Sequence, residues 1–294
     1  MSTGLHMAAD VFKNRHGRVG THRLFLSWFS GGRFEDGATG LTLTDVALAA
    51  DLSQSGVDLR PVRQDREVRQ PQVDADFPRE DFEALGYQVE LHGMKAFNGV
   101  AILSRLPLED VTRGLPGDDG DEQARWIEAT VIGTRALRVC GLYLPNGNPA
   151  PGPKYDYKLA WMARMQARVQ DLLTAEEPLV CCGDYNVIPQ AEDAARPQDW
   201  LEDALYLPQS RAAFRRLLNL GLTDAFRARN QAAGQYSFWD FQRGAWERNN
   251  GIRIDHHLLS PQAADLLRDA QIDKQVRAGE KPSDHVPVWI DLDA

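Results

Sequence analysis

The feature that most restricts this chain is the alternation of short β-rich runs with helical stretches over its last two hundred or so residues. Apolar runs fall at Val100–Leu103, Ile127–Ile132, Leu137–Tyr143 and Leu179–Cys182, and the chain closes on another at Val286–Leu292. Between them, Lys158–Leu173 and Arg211–Leu220 read as helices. Runs this short need covering layers, so the pattern predicts an α/β layered domain. A chain of 294 residues can still close around one core. With no internal repeat and no Gly/Ser linker, one domain is expected over residues 23–294. Residues 1–22 are polar, lack a period and are read as a disordered leader. Leu24–Trp28 is apolar, Leu43–Leu52 can be drawn as a helix, and Arg60–Gln72 mixes Arg, Gln, Asp and Glu with neither strand nor helix logic.

Composition narrows the class. At 43% hydrophobic and 26% charged residues the chain sits with soluble globular proteins. No apolar run approaches the roughly 20 residues that cross a bilayer, and Met1–Arg18 lacks a signal-peptide h-region, so the expectation is a cytoplasmic protein with no membrane partner. Cys140, Cys181 and Cys182 are three in number, two of them adjacent, which fits small core residues better than disulfides or zinc ligands. The formal charge of −9 argues against coating nucleic acid by bulk attraction. It leaves room for a local basic face, and carboxylates gathered at a metal-dependent site would push the total the same way.

Three short constellations carry candidate chemistry. Gly183-Asp184-Tyr185-Asn186 follows the apolar Leu179–Cys182, so Asp and Asn stand two residues apart at the mouth of a sheet; an Asx turn capping the strand is the equal alternative. Lys281-Pro282-Ser283-Asp284-His285 precedes Val286-Pro287-Val288, where a turn can bring a carboxylate to the imidazole and poise it as a base or as a positive charge; a surface turn is the plainer reading. In Gly251-Ile252-Arg253-Ile254-Asp255-His256-His257 the alternating isoleucines bury one face and leave Asp255 at a strand end, where it could also be simply solvated.

Together with Leu142-Tyr143-Leu144-Pro145-Asn146-Gly147, these motifs resemble the exonuclease III family of DNA-repair nucleases, within the wider endonuclease/exonuclease/phosphatase fold. Gly141–Gly147, Gly183–Pro189, Gly251–Asp255 and Lys281–Val288 match in the family's chain order and with similar spacing. Asn98–Ser104, Gly114–Asp119 and Tyr236–Asp240 are also family-like, and the likeness runs from about Asp76 to the C-terminus. The resemblance implies a four-layer α/β sandwich, two packed β-sheets flanked by helices, with the site at one edge of the sheets. It further implies a monomeric phosphodiester hydrolase, dependent on Mg²⁺ or Mn²⁺, that removes 3′ nucleotides from duplex DNA and cuts 5′ to abasic sites.

Carried over residue by residue, Asp184 would move a proton at the phosphorus, Asn186 would orient the phosphate and Tyr143 would contact it. Asp255 and Asp284 would position His285, which would stabilise charge on the phosphoryl oxygens. Asp184, Asn186 and Asp284 would be metal ligands. Phe238 and Trp239 would hold a flipped abasic sugar, core packing being the plainer reading and the pocket being favoured for Trp239; Asn98 and Arg253 would contact substrate. Arg243, Arg248, Arg253, Lys274, Arg277 and Lys281 could form a local DNA-facing surface.

The N-terminal quarter departs from the family. Ser27-Trp28-Phe29 has Phe where Asn belongs, and Val57–Glu67 places charges and a proline where a buried strand should end in Gln-Glu. Asp65 or Glu67 can be laid over the missing metal-binding Glu, and residues 23–72 are read as divergent or frame-shifted. Two other functions stay open at this point: a phosphoesterase of small or lipid phosphates, and a catalytically impaired DNA-binding relic.

Overall fold

A computed structural model describes residues 22–27, 46–50, 79–84, 86–94, 98–278 and 283–293. The leader up to residue 21, the candidate ligands Asp65 and Glu67, and the turn residues Lys281 and Pro282 lie outside the described residues. Strands β1 (His22–Ser27), β2 (Val46–Ala50), β3 (Gln88–Met94) and β4 (Asn98–Ser104) lie in one sheet with β11 (Leu267–Ile272) and β12 (Val288–Leu292). The order is β11-β12-β1-β2-β4-β3. The second sheet holds β5 (Leu108–Arg113), β6 (Trp126–Ile132), β7 (Ala136–Tyr143), β8 (Leu179–Asp184), β9 (Thr223–Asp224) and β10 (Asp255–Leu259), in the order β5-β6-β7-β8-β10-β9. This is the layered α/β sandwich expected from the sequence.

Alternation builds the layers. In β6, Ile127, Ala129 and Val131 face the other sheet and meet Val100 and Ile102 of β4 and Ile290 and Leu292 of β12. Trp126 points the opposite way, onto helix α2 (Pro153–Leu173), which follows the short α1 (Arg79–Ala84) in chain order, as a period of two requires. Adjacent cysteines separate by the same rule: Cys182 joins the core between the sheets, whereas Cys181 joins Trp161, Met165 and Phe214 beneath α2 and α3 (Pro208–Leu218). All three cysteines are buried thiols, as read from the sequence. Fully burying a side chain of Leu, Ile or Val size contributes about 1.5–3 kcal/mol, and both strand faces gain it.

The run Leu43–Leu52, drawn above as a helix, is instead a strand at Val46–Ala50, parallel to β1 and antiparallel to β4. A short apolar run has no decisive period, and hydrogen-bonding partners on both sides settle it as strand. Residues Ile252 and Ile254 are buried as expected, but Asp255 begins β10; it does not end a strand.

Arg253 also differs from its expected role. It is 1% exposed, with Nε donating to Asp193 Oδ1 at 2.7 Å and Nη1 pairing with Asp224 Oδ2 at 2.9 Å. Arg227 joins Asp193 from the other side at 2.5 Å. Burial opposes ionisation of both carboxylates, yet Arg253 outweighs it and holds them below their ordinary range. An arginine enclosed in this way ties α4 (Ala225–Arg229) and the segment before β10 together and is not offered to a substrate phosphate.

Next to this hub, His256 and His257 are both buried. His256 Nδ1 accepts from Arg253 Nη1 at 2.9 Å and Nε2 donates to Val187 O at 3.2 Å, the pattern of a neutral ring. Burial, reinforced by the Arg253 cation, lowers it to about 4. Burial lowers His257 to about 3, and among the described residues neither of its ring nitrogens finds a hydrogen-bond partner. In an unfolded chain each would take a proton near 6.5, so between that value and about 4 the unfolded state binds more protons and stability rises with pH. The unfolding midpoint should therefore drop as pH falls from 7 to 4, and His257→Leu should flatten that slope without loss at pH 7. A thermal-unfolding series in which the variant follows the wild-type slope would show that His257 is not held neutral.

Candidate active site

Strand register sets the site. Tyr143 pairs with Asp184 across the parallel β7/β8 ladder, and Asp184 pairs with Asp255 across the antiparallel β8/β10 ladder. Three functional groups from distant parts of the chain thus stand in one row across the ends of three neighbouring strands. Asp184 and Asp255 are 2% and 1% exposed, and Tyr143 is half-buried with the Arg125 guanidinium 4.8 Å over its ring. Gly183 permits this approach: its φ is 154°, and a Cβ there would lie 1.9 Å from the Leu142 carbonyl oxygen.

Beyond Asp184 the chain folds back. Tyr185 enters the core and donates to Cys181 O at 2.9 Å. Asn186 adopts a left-handed φ of 46°, a conformation Asn tolerates better than most residues. Its backbone N–H donates to Asp184 Oδ1 at 2.7 Å, and its Nδ2 donates to Asp184 Oδ2 at 2.7 Å and to Leu144 O at 2.9 Å. Asn186 Oδ1 accepts from Asn146 Nδ2 at 3.2 Å. The two sequence readings of this turn therefore coincide: Asp184 forms an Asx turn and also stands in the row.

His285 arrives from the other sheet, three residues before β12. Its Nδ1 lies 3.0 Å from Asp255 Oδ2 and 3.2 Å from Oδ1. Burial works against a charge on this ring, but Asp255, followed by Asp184 and Asp284, outweighs it and raises the imidazole to about 9. It is thus a cation at neutral pH, with the ring orientation fixed through Nδ1. Asp255, thirty residues away in sequence, is the carboxylate that holds this nitrogen, while Asp284 adds its charge from the adjoining position. Asp284 is itself buried, with its carbonyl accepting from Trp239 N at 2.8 Å.

Of the two aromatics read as a sugar pocket, the structure brings only Phe238 to the site. Phe238 is half-buried, bridges to Ile252 and His285, and sets its ring edge-on to the imidazole at 4.9 Å. Trp239 is fully buried among Tyr236, Trp246 and the backbone of Gly251, where a Cβ would come within 2.6 Å of its indole nitrogen. Neighbouring residues in an extended segment face opposite ways, so one of the pair had to turn inward. Arg277 is enclosed too, donates to Trp239 O at 3.1 Å and stacks over the Phe241 ring, whereas Arg243, Arg248, Lys274 and Phe241, the last 57% exposed, lie at the surface. Asn98 opens β4 beyond the end of β2; its side chain is outside the described residues.

The structure adds two residues the sequence reading passed over. Ser237 Oγ donates to Asp255 Oδ2 at 2.5 Å and receives the backbone N–H groups of Ile254 and Asp255 at 3.2 Å each. It lies in the Tyr236–Asp240 segment, where a hydroxyl beside two aromatics was the only signal. Lys158 is wholly buried on α2, and burial lowers it to about 7 against the pull of Asp184 and Asp203; a charged residue on the buried stripe of that helix was its signal.

Three buried carboxylates therefore converge on one imidazolium. Among the described residues no three His, Cys, Asp or Glu side chains form a closed metal cage. Hard oxygens on one or two carboxylates are nevertheless the donor set that Mg²⁺ uses, the rest of its shell coming from water and substrate, and Asp184 and Asp284 carry oxygens of that kind, those of Asp184 accepting from Asn186. Chemically, the arrangement offers a cation suited to developing negative charge, a carboxylate for proton transfer and a phenol, brought together by the strand register.

A family model described as the Endonuclease/Exonuclease/phosphatase family matches residues 44–285. The chain is 35% identical over 231 residues to exodeoxyribonuclease III of Haemophilus influenzae, an alignment covering 75% of this chain and 86% of that protein. Its fold is similar to that of NExo, a 3′ phosphatase from Neisseria bound to a product DNA hairpin, with a TM-score of 0.79, 31% identity and coverage of 93% and 100% of the two chains. An AP endonuclease from Archaeoglobus fulgidus gives a TM-score of 0.77 at 27% identity, again over 93% of this chain and 100% of the other.

The row depends on the bare backbone at Gly183, which gives a direct test. Gly183→Ala should lower stability by at least about 3 kcal/mol, the upper end of overpacking penalties, in chemical denaturation. A midpoint equal to that of the wild type would show that β7 and β8 can part without cost.

Proposed function

The chain belongs to the endonuclease/exonuclease/phosphatase family and, within it, to the exonuclease III group of phosphodiester hydrolases, and we propose that it cleaves duplex DNA at abasic sites and 3′ ends with Mg²⁺ or Mn²⁺ as cofactor. It acts as a monomeric DNA-repair nuclease. The observation that carries this reading is the row Tyr143, Asp184 and Asp255 with His285 locked onto Asp255. Such a row matches what attack on a phosphodiester requires: help for the nucleophile, a clamp on the charge at phosphorus and help for the leaving alkoxide.

In this reading His285, cationic at neutral pH, stabilises the phosphoryl oxygens as charge builds on them. Asp255 keeps its Nδ1 engaged, and Ser237 keeps Asp255 in place. Asp184 moves the proton of the attacking water or of the leaving oxygen, Asn186 orients the phosphate and Tyr143 contacts it. A divalent ion, held by Asp184 and Asp284 with Asn186 adjoining, would supply further neutralisation of the phosphate. Phe238, with Ile252 and Ile254 behind it, forms the apolar wall for a deoxyribose that lacks its base, and a phosphatase of small metabolites has no need of such a wall. Exposed Arg243, Arg248 and Lys274 supply the local positive face that an acidic chain needs for DNA.

Purified protein should incise an abasic duplex in Mg²⁺ and stop in excess EDTA, and Asp184→Asn should cut kcat by about a hundredfold or more, as expected for loss of a proton-transfer group. Incision undiminished by EDTA, or an Asp184→Asn enzyme of normal turnover, would overturn the mechanism. Phe238→Ala should weaken discrimination between abasic and intact duplex by about tenfold, the scale of lost apolar contact in a pocket. An unchanged ratio of kcat/KM for the two substrates would remove Phe238 from the pocket.

A further inference from the structure

Helix α2 rests on the second sheet through a stripe of buried residues, Tyr155, Lys158, Trp161, Met162, Met165 and Val169. One member of this apolar stripe is a lysine with no exposed surface. An ammonium in such a place costs several kcal/mol unless hydrogen bonds repay its lost water. Here Lys158 Nζ donates to the backbone carbonyl of Asn186 at 2.6 Å and to that of Asn146 at 3.0 Å.

Those two carbonyls belong to different pieces of the site. Asn146 sits in the loop that leaves β7 after Tyr143, and Asn186 ends the turn that carries Asp184. Gly147 keeps room for the lysine stem, because a Cβ there would lie 2.7 Å from Lys158 Cδ. The far end of the first loop has its own anchors, Asn148 Nδ2 to Asp203 Oδ1 and Ala204 N to Asn148 Oδ1, both at 3.0 Å. The Asn186 N–H and side-chain amide already hold Asp184, Leu144 and Asn146. Lys158 is thus the strut that fixes the left-handed peptide of Asn186 from behind through two donated hydrogen bonds, while no substrate-facing contact is needed from it.

We propose that Lys158 is a positioning residue for phosphodiester hydrolysis, clamping the 144–148 loop to the 184–186 turn so that Asp184 and Asn186 stay in line with Tyr143 and Asp255. The assignment rests on the function proposed above. A shift of about 1 Å in such a group costs on the order of a hundredfold in rate, whereas affinity for DNA, set by many phosphate contacts, should change by less than about threefold.

The test uses the full chain with Lys158→Gln and Lys158→Met, measuring kcat and KM on abasic duplex in Mg²⁺, duplex affinity in EDTA, the unfolding midpoint, and hydrogen–deuterium exchange by peptide. The expected result is a folded variant with kcat down by about a hundredfold, affinity preserved, and faster exchange confined to peptides spanning 144–148 and 184–188. Lys158→Arg, which keeps the cation and its donors, should recover part of the rate. A folded neutral variant with normal kcat would overturn the proposal. So would rate, affinity and midpoint falling together, or both neutral variants failing to fold, since each makes Lys158 a general stability residue. Should the wild type itself leave abasic duplex uncut, the proposed function falls, and the exchange pattern alone decides on the clamp.

Discussion

The ion pair between Asp255 and His285 joins the two sheets at their shared edge, and the rest of the site is arranged around it. Asp255 opens β10 in the second sheet; His285 leads into β12 of the first. Both groups are buried, so neither could be there alone without a large desolvation cost. Paired, they fix the edge-to-edge position of the sandwich where face-to-face packing of apolar side chains, which is non-directional, would leave it loose. Ser237 donates to that carboxylate and is itself held by the peptide N–H groups of Ile254 and Asp255, which donate to its Oγ.

The same logic repeats outward. Among the described residues several buried polar groups are held by named partners: Arg253 by Asp193 and Asp224, Glu128 by Arg138 and Arg168, Lys158 by two carbonyls. Satisfied networks of this type hold side chains in one geometry, and removing one member leaves the other buried and uncompensated. The site is therefore rigid from behind. Half-buried Phe238 and Tyr143, and the exposed side chains of Phe241, Arg243, Arg248 and Lys274, are different in kind.

This division separates catalysis from affinity. The groups suited to the reaction are enclosed and charged in opposite senses, so their fields act at short range in a medium poorer in water. The basic groups suited to DNA are few, local and solvated, and an overall charge of −9 does not prevent them from acting over a Debye length of about 8–10 Å. An acidic protein can thus belong to a family of DNA-acting enzymes without a generally basic surface.

Much of this was legible in the sequence. Short apolar runs marked β4, β6, β7, β8 and β12, and helical periodicity marked the two long helices, because burial on a strand or a helix face follows a local pattern. Tyr143, Asp184, Asn186, Asp255, Asp284 and His285 could be picked out because each sits in a short motif that matches the family's in chain order and spacing. Identity of local pattern could not decide which of Phe238 and Trp239 faces the site, whether Arg253 meets solvent, or that Leu43–Leu52 is a strand, since each depends on what lies opposite. Phe238 turns outward because Trp239 fills the space against Gly251, and Arg253 turns inward because Asp193 and Asp224 wait there. Sequence determined which residue types stand at the strand ends; only the tertiary register, set by hydrogen-bonded ladders between distant segments, decided which of them meet.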